Sequence, residues 1–383
     1  MAKLAERLDA GLAARLDPVL DTALAENRIV GAVALVAKGG ELAYGRAVGL
    51  ADREAGRAMA TDTIFRASSL TKPIVTAAFL SLVEDEIMGL DDPVIRWLPD
   101  FQPKFQGEVF TITLRQLLTH TAGLSYGFMQ PDGGPYLKLG VSDGMDQPGL
   151  GFPEELARIT QAGLFFPPGA AWLYSVGLDV LGAAIEAATG KTLGQVVAQR
   201  VTSKLGMTDT GFHIADRARL AGAYADGAPP VPMGDKYTVP FAELSGIKFA
   251  PDRIFDPGSF PSGGAGAACT APDFLVFLEA IRTGGRPVVK QATASAMMTN
   301  QTGGHLIVTS GPGVGFGFGG AVITDASVAA SPLPQGSWLW GGVYGHSWFV
   351  DPASDLSYVL MTNTSTEGMS GQLSQDLMVA TLG

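Results

Sequence analysis

Read for its alternation of apolar and polar positions, the chain falls into three stretches. Val33 to Val36 and Leu42 to Val48 are apolar or β-prone runs with Gly39-Gly40 between them, which predicts a hairpin. A helix is predicted from Leu70 to Glu86, with Ile74, Val75, Ala78, Phe79 and Leu82 on one face. From Asp91 to about Pro272 the text turns to Pro, Gly and short amphipathic helices: Thr113 to Leu118, Pro153 to Ala162 and Leu178 to Ala188. Phe255 to Ala268 reads as loop. Strand-like runs return at Phe316 to Ile323, Ser337 to Trp340, Ser347 to Val350 and Leu356 to Met361, and a last helix is predicted from Ser370 to Leu382. Strands at both ends with helices between predict an α/β (α+β) domain assembled from residues 1–90 and 273–383. Residues 91–272 are then a mostly helical insert domain.

At the N-terminus, Leu4, Leu8 and Leu12 recur at helical spacing, and Asp17-Pro18 predicts an N-cap with proline at the first helical position. Lys3, Glu6, Arg7, Asp9, Arg15 and Asp17 break up any apolar run there, so a secretory leader is not expected. No apolar stretch is long enough to cross a bilayer. The expectation is a cytoplasmic protein without a membrane partner.

Composition narrows the classes. The chain has 383 residues, 46% of them hydrophobic, enough for a large core. Its net charge is −11 with no Lys/Arg cluster, which argues against a nucleic-acid partner, because neutralising phosphates needs a basic face. The single cysteine, Cys269, can form no intrachain disulfide and reads as a small buried side chain. His120, His213, His305 and His346 lie far apart with no metal-ligand spacing, so no metal site is expected and no cofactor is implied.

The sharpest chemical signal is Ser69-Leu70-Thr71-Lys72. Three residues apart on a helix, Ser69 and Lys72 share a face. A serine hydroxyl needs a base to become a nucleophile, and a lysine serves if burial lowers its pKa. The pattern alone is weak, since Ser245-Gly246-Ile247-Lys248 repeats it; that copy has a glycine inside and no long apolar helix after it, and reads as coincidence. Tyr174-Ser175, after Pro167-Pro168-Gly169 and before a helix, offers a core anchor or a phenolate base beside a lysine. Trp340 to Ser347 carries Gly341-Gly342, either a bulge or a place where a ligand meets backbone N–H groups. Gly123-Leu124-Ser125-Tyr126-Gly127 fits G-x-S-x-G, but the segment before it reads as helix and the text after it as loop, so Ser125 is set aside. Gly311 to Gly320 lacks the Gly-Lys-Ser/Thr of a phosphate loop.

These elements together resemble the serine β-lactamase (class C) and penicillin-binding-protein superfamily, and more closely the family VIII carboxylesterases. The resemblance runs over nearly the whole chain. It is clearest at Gly49-Leu50-Ala51-Asp52-Arg53-Glu54, at Ser69 to Pro73, and at Leu117 to Leu124, and again at Asp179-Val180-Leu181-Gly182 and Trp340 to Val350. It implies a β-lactamase-like fold, an antiparallel sheet flanked by helices plus the helical insert. It further implies Ser69 as acylated nucleophile, Lys72 and Tyr174 as the shared base and acid, and the backbone N–H groups of Ser69 and Val343 as an oxyanion hole. Thr119-His120-Thr121 resembles a family signature of structural character. Trp340-Gly341-Gly342 falls where β-lactamases carry Lys-Thr-Gly, and Val176 where they carry an asparagine. Both departures remove polar recognition of penicillins, which implies uncharged esters of short to medium chain and weak or no β-lactamase activity. Tyr126, Trp340, Gly341, Gly342, Tyr344 and Trp348 are candidates for the substrate pocket.

Two enzymatic alternatives use the same residues: an acyltransferase, and a hydrolase of small amides or D-peptides. A non-catalytic binding module on this fold is expected to have lost Ser69, Lys72 or Tyr174, and all three are present.

Overall fold

Gly39 and Gly40 both take positive φ (60° and 87°), as a two-residue hairpin turn requires. They join β1 (Gly31–Lys38) to β2 (Glu41–Asp52), which continues to the short β3 (Arg57–Ala58). The other strands of this sheet come from the far end of the chain: β4 (Val314–Phe316), β5 (Ala321–Ile323), β6 (Trp338–Gly342), β7 (His346–Asp351) and β8 (Leu356–Thr362). Their order is β4-β5-β6-β7-β8-β1-β2-β3, every neighbour antiparallel. The seam between the two ends is the β1–β8 pairing, from Ala32 opposite Thr362 to Lys38 opposite Leu356. The computed structural model describes residues 4–214 and 216–383, so Lys3 lies outside the described residues.

The sheet is buried on both faces, which is why β1 reads as a continuous apolar run rather than an alternation. Val33, Leu35 and Ala37 point into one core, which α2 (Thr71–Glu84) shares and which the helix Ala271–Arg282 covers. Ala32, Ala34 and Val36 point into a second core, under α1 (Ala10–Ala25) and the C-terminal helix Gln372–Leu382. The expected single strand over Phe316–Ile323 is a turn flanked by β4 and β5, closed by Gly317 N–H donating to Gly320 O (2.8 Å).

Two expectations are corrected. Asp17-Pro18 does not start a helix. α1 begins at Ala10, where the Asp9 carboxylate accepts from the N–H groups of Gly11 (2.8 Å) and Leu12 (3.3 Å). Pro18 sits inside the helix, on its exposed side, at a cost of about 3 kcal/mol in an isolated helix. Burial of Leu12, Leu16, Leu20 and Ala23 against the sheet offsets that cost, and Asp17 instead accepts from Tyr44 Oη (2.8 Å). Leu4 and Leu8 precede the helix. In α2, by contrast, burial is not confined to one face: every residue from Thr71 to Leu82 is buried, because the helix runs through the middle of the molecule.

Between the two groups of strands lie α3 (Leu114–Leu118), α4 (Phe152–Ala162) and α5 (Gly177–Thr189), close to their expected limits. The same stretch holds two-stranded ribbons that the sequence pattern does not predict, among them Tyr237–Val239 with Ile247–Phe249. Ala268–Cys269 pairs with Phe65–Arg66, tying the end of the middle stretch to the segment before α2. Among the described residues no helix is long and apolar enough to cross a membrane.

Candidate active site

The segment before α2 is held in an unusual conformation. Ser68 has φ of 44°, a left-handed value that costs a non-glycine residue about 1 kcal/mol or more. Its neighbours over-determine it: Ala67 N–H donates to Ala267 O (2.8 Å), and Ala267 N–H donates to Thr71 Oγ1 (3.1 Å). Ser69 follows in a tight turn that runs directly into α2, and one helical turn on, Lys72 Nζ donates to Ser69 Oγ at 3.2 Å.

Lys72 is fully buried. Its Nζ also donates to Tyr126 Oη (3.0 Å) and to the Gly264 carbonyl (2.8 Å), which uses all three donors of an ammonium. Burial pulls its pKa down to about 7, a fall that the negative charges of Asp179 and Asp143 partly oppose. An amine that loses its proton near neutrality is therefore in contact with the serine oxygen.

Tyr174 closes the other side. Its hydroxyl donates to Ser69 Oγ at 2.8 Å and accepts from Trp340 Nε1 at 3.0 Å. Burial raises its pKa well above that of a free phenol, so at neutral pH Tyr174 is a proton donor and not the phenolate considered from sequence. Backbone pairing sets it there: Leu173 N–H donates to His120 O (3.0 Å) and Val176 N–H to Ser125 O (3.2 Å). The His120 ring lies edge-on to Tyr174 and Trp172, with Nδ1 on Ser175 Oγ (3.0 Å), and burial holds it neutral. It supports the tyrosine and does not reach Ser69.

The end of β6 packs on the Ser68 side chain and the Ala67 carbonyl. A Cβ on Gly342 would fall 2.5 Å from Ser68 Oγ and 2.9 Å from Ala67 O, so only glycine lets the strand approach this closely. That contact brings Val343 beside Ser69, and both line one cavity of about 290 Å³. Phe128, Met129, Phe241, Trp340 and Met369 supply much of its wall, and among the described residues no charged one lines it. Gly341 and Trp348 also face it, whereas three other pocket candidates do not. Tyr126 is turned to Lys72, Gly342 lies on Ser68, and Tyr344 packs on Phe249 with ring centroids 4.7 Å apart. Phe128, Phe241 and Met369 escape sequence reasoning because each arrives from a separate loop or short helix, and no local pattern marks them.

The competing motifs lie elsewhere. Ser125 is buried, with Oγ donating to Tyr126 O (2.9 Å), and α3 rather than a strand precedes it. Ser245 donates to Gly127 O (3.0 Å), while Lys248 is exposed on a ribbon. Cys269 is fully buried, and burial pushes its thiol pKa up. Among the described residues no group of His, Cys, Asp or Glu is arranged to hold a metal ion.

Known proteins share this architecture. A family model described as Beta-lactamase matches residues 16–382. Esterase EstB of Burkholderia gladioli is 50% identical over 368 residues, covering 95% of this chain and 93% of its own. The solved structure of EstCE1, a hydrolase with promiscuous acyltransferase activity, aligns with a TM-score of 0.94 at 44% identity, over 98% of this chain and 99% of that one. A variant of simvastatin synthase from Aspergillus terreus shares the fold, with a TM-score of 0.76 at 23% identity over 97% and 94% of the two chains.

Proposed function

Since the chain belongs to the beta-lactamase family and is a hydrolase of carboxylic esters, we propose that it works through an acyl-enzyme on Ser69. The observation that carries this reading is the bracketing of Ser69 Oγ between Lys72 Nζ (3.2 Å) and Tyr174 Oη (2.8 Å) at a cavity that no charged residue lines among those described. Neutral Lys72 takes the serine proton as Oγ attacks the ester carbonyl. The oxyanion is held by the N–H groups of Ser69 and Val343. Tyr174 gives its proton to the departing alcohol and regains one from the Lys72 ammonium. A water then repeats the sequence on the acyl-enzyme and releases the acid.

The preferred substrates are small uncharged esters of short to medium chain, as in family VIII carboxylesterases. A β-lactam carboxylate finds no cation on the cavity wall among the described residues, which supports weak or no lactam turnover. The promiscuous acyltransferase activity of EstCE1 makes transfer to an added alcohol the second reading, and product analysis with and without that alcohol separates the two. Cytoplasmic location, absence of a nucleic-acid partner, and the division at residues 91 and 272 complete the proposal; the net charge of −11 supports the second of these.

The test is intact mass after incubation with a small activated ester. Wild type is expected to gain the acyl mass and Ser69→Ala to gain nothing; equal behaviour of the two sinks the assignment.

A further inference from the structure

One buried carboxylate stands outside this mechanism, yet lies one backbone group away from the amine. Asp179, in the first turn of α5, is 1% exposed. Its Oδ1 accepts from Ser262 Oγ (2.5 Å) and from Gly264 N–H (3.1 Å). Ser262 Oγ accepts in turn from Ala265 N–H (2.9 Å), and Gly266 N–H donates to Ser262 O (2.8 Å). A single carboxylate oxygen thus pins the whole turn over residues 262–266. The turn has little room to shift: a Cβ on Gly263 would fall 2.3 Å from Leu178 O, and one on Gly264 2.6 Å from Tyr126 Oη. At its apex, the Gly264 carbonyl accepts from Lys72 Nζ at 2.8 Å. Asp179 Oδ2 is buried without a hydrogen-bond partner among the described residues.

A neutral amine has two N–H groups and one lone pair. With its donors committed to Gly264 O and Tyr126 Oη, the remaining direction faces Ser69 Oγ, which is what proton removal requires. Tyr126 can accept or donate. The carbonyl can only accept, so it alone fixes the amine in both charge states.

We propose that Asp179 is a positioning residue for Lys72, holding the Gly264 carbonyl where it aims the amine at Ser69. This rests on the acyl-enzyme reading above. The carboxylate also acts through its charge, because the negative charge of Asp179 is the largest influence opposing the burial of Lys72. The other groups facing this pair are consistent with that role. Burial raises Glu155 to about 9, so it is neutral at pH 7, and raises Asp143 to about 7. Arg253 faces Asp179 and Glu155, Asp146 faces Glu155, and Tyr126, Tyr174 and His120 are kept uncharged by burial.

Asp179→Asn keeps an acceptor for Gly264 and removes the charge. Losing a nearby negative charge lowers the amine pKa, so the acidic limb of kcat/KM against pH moves down by about half a unit or more. Asp179→Ala releases the turn, and kcat falls about a hundredfold with KM within about twofold. Ser262→Ala removes one support but no charge; kcat falls a few-fold and the limb stays in place. Circular dichroism and Tm are read for each, and if Asp179→Ala does not fold, the other two variants decide. An unmoved limb in Asp179→Asn, or wild-type kcat in Asp179→Ala, overturns the proposal. Failure of wild type to acylate at all sinks the underlying reading instead, so the two failures are told apart by the same mass measurement.

Discussion

Ser69–Lys72 and Ser245–Lys248 have the same four-residue pattern and opposite surroundings. The first lies at the start of a helix buried on all sides, where spacing of three residues becomes a 3.2 Å contact. The second spans a turn and a ribbon: Ser245 is tied to the Gly127 carbonyl at 3.0 Å, and Lys248 points outward into solvent. In the first copy desolvation makes an amine of the lysine near neutrality. In the second, no burial surrounds the lysine side chain. The pattern becomes chemistry only where helix geometry and burial act together.

Substitutions sharpen this contrast. The largest effect is expected for Ser69→Ala, which should lower kcat by about 10⁵-fold while leaving the circular dichroism unchanged. An active Ser69→Ala enzyme breaks the comparison outright. Lys72→Arg keeps a cation but not a titratable one, and about a thousandfold loss is expected in steady-state hydrolysis. A mild loss would mean that charge, not proton transfer, is what the helix copy provides.

The pH profile comes next. Lys72, lowered to about 7, is protonated and inactive as a base below that value. The rate constant kcat/KM should therefore fall about tenfold per unit as pH drops from 6 to 5. The same depression links to stability: between about 7 and 10.5 the unfolded chain binds the proton that the native chain has released, so Lys72 contributes stability that rises with pH across that window. A profile flat from pH 5 to 9 would remove the lysine from the base role. The smallest effect is expected for Ser245→Ala and Lys248→Ala, each within about twofold of wild-type kcat/KM and about 0.5 kcal/mol of wild-type stability.

What can be read along the chain is whatever depends on neighbours in sequence. The Gly39-Gly40 turn, the strands around Trp340, Trp348 and Tyr358, and the shared face of Ser69 and Lys72 all follow from local periodicity. Asp17-Pro18 misleads because a capping pair and a proline on the exposed side of a packed helix look alike without knowledge of the sheet beneath. The ribbons are too short for a period of two to register. Phe128, Phe241 and Met369 meet only through the fold, as do Asp179 and Gly264, so neither the cavity wall nor the support of Lys72 has a signature in a single sequence.

The seam between β1 and β8 has a consequence for how the protein is made. Residues 31–38 wait for residues 356–362 before they gain a partner on that side, and Val343 reaches Ser69 only when β6 is in place. On a ribosome delivering about 5–20 residues per second, the nascent chain holds Ser69 for many seconds without the strand that completes the cavity. Contacts this distant in sequence also make for slow folding. The cavity beside Ser69 is therefore a property of the assembled fold, acquired with its last strands rather than where Ser69 is encoded.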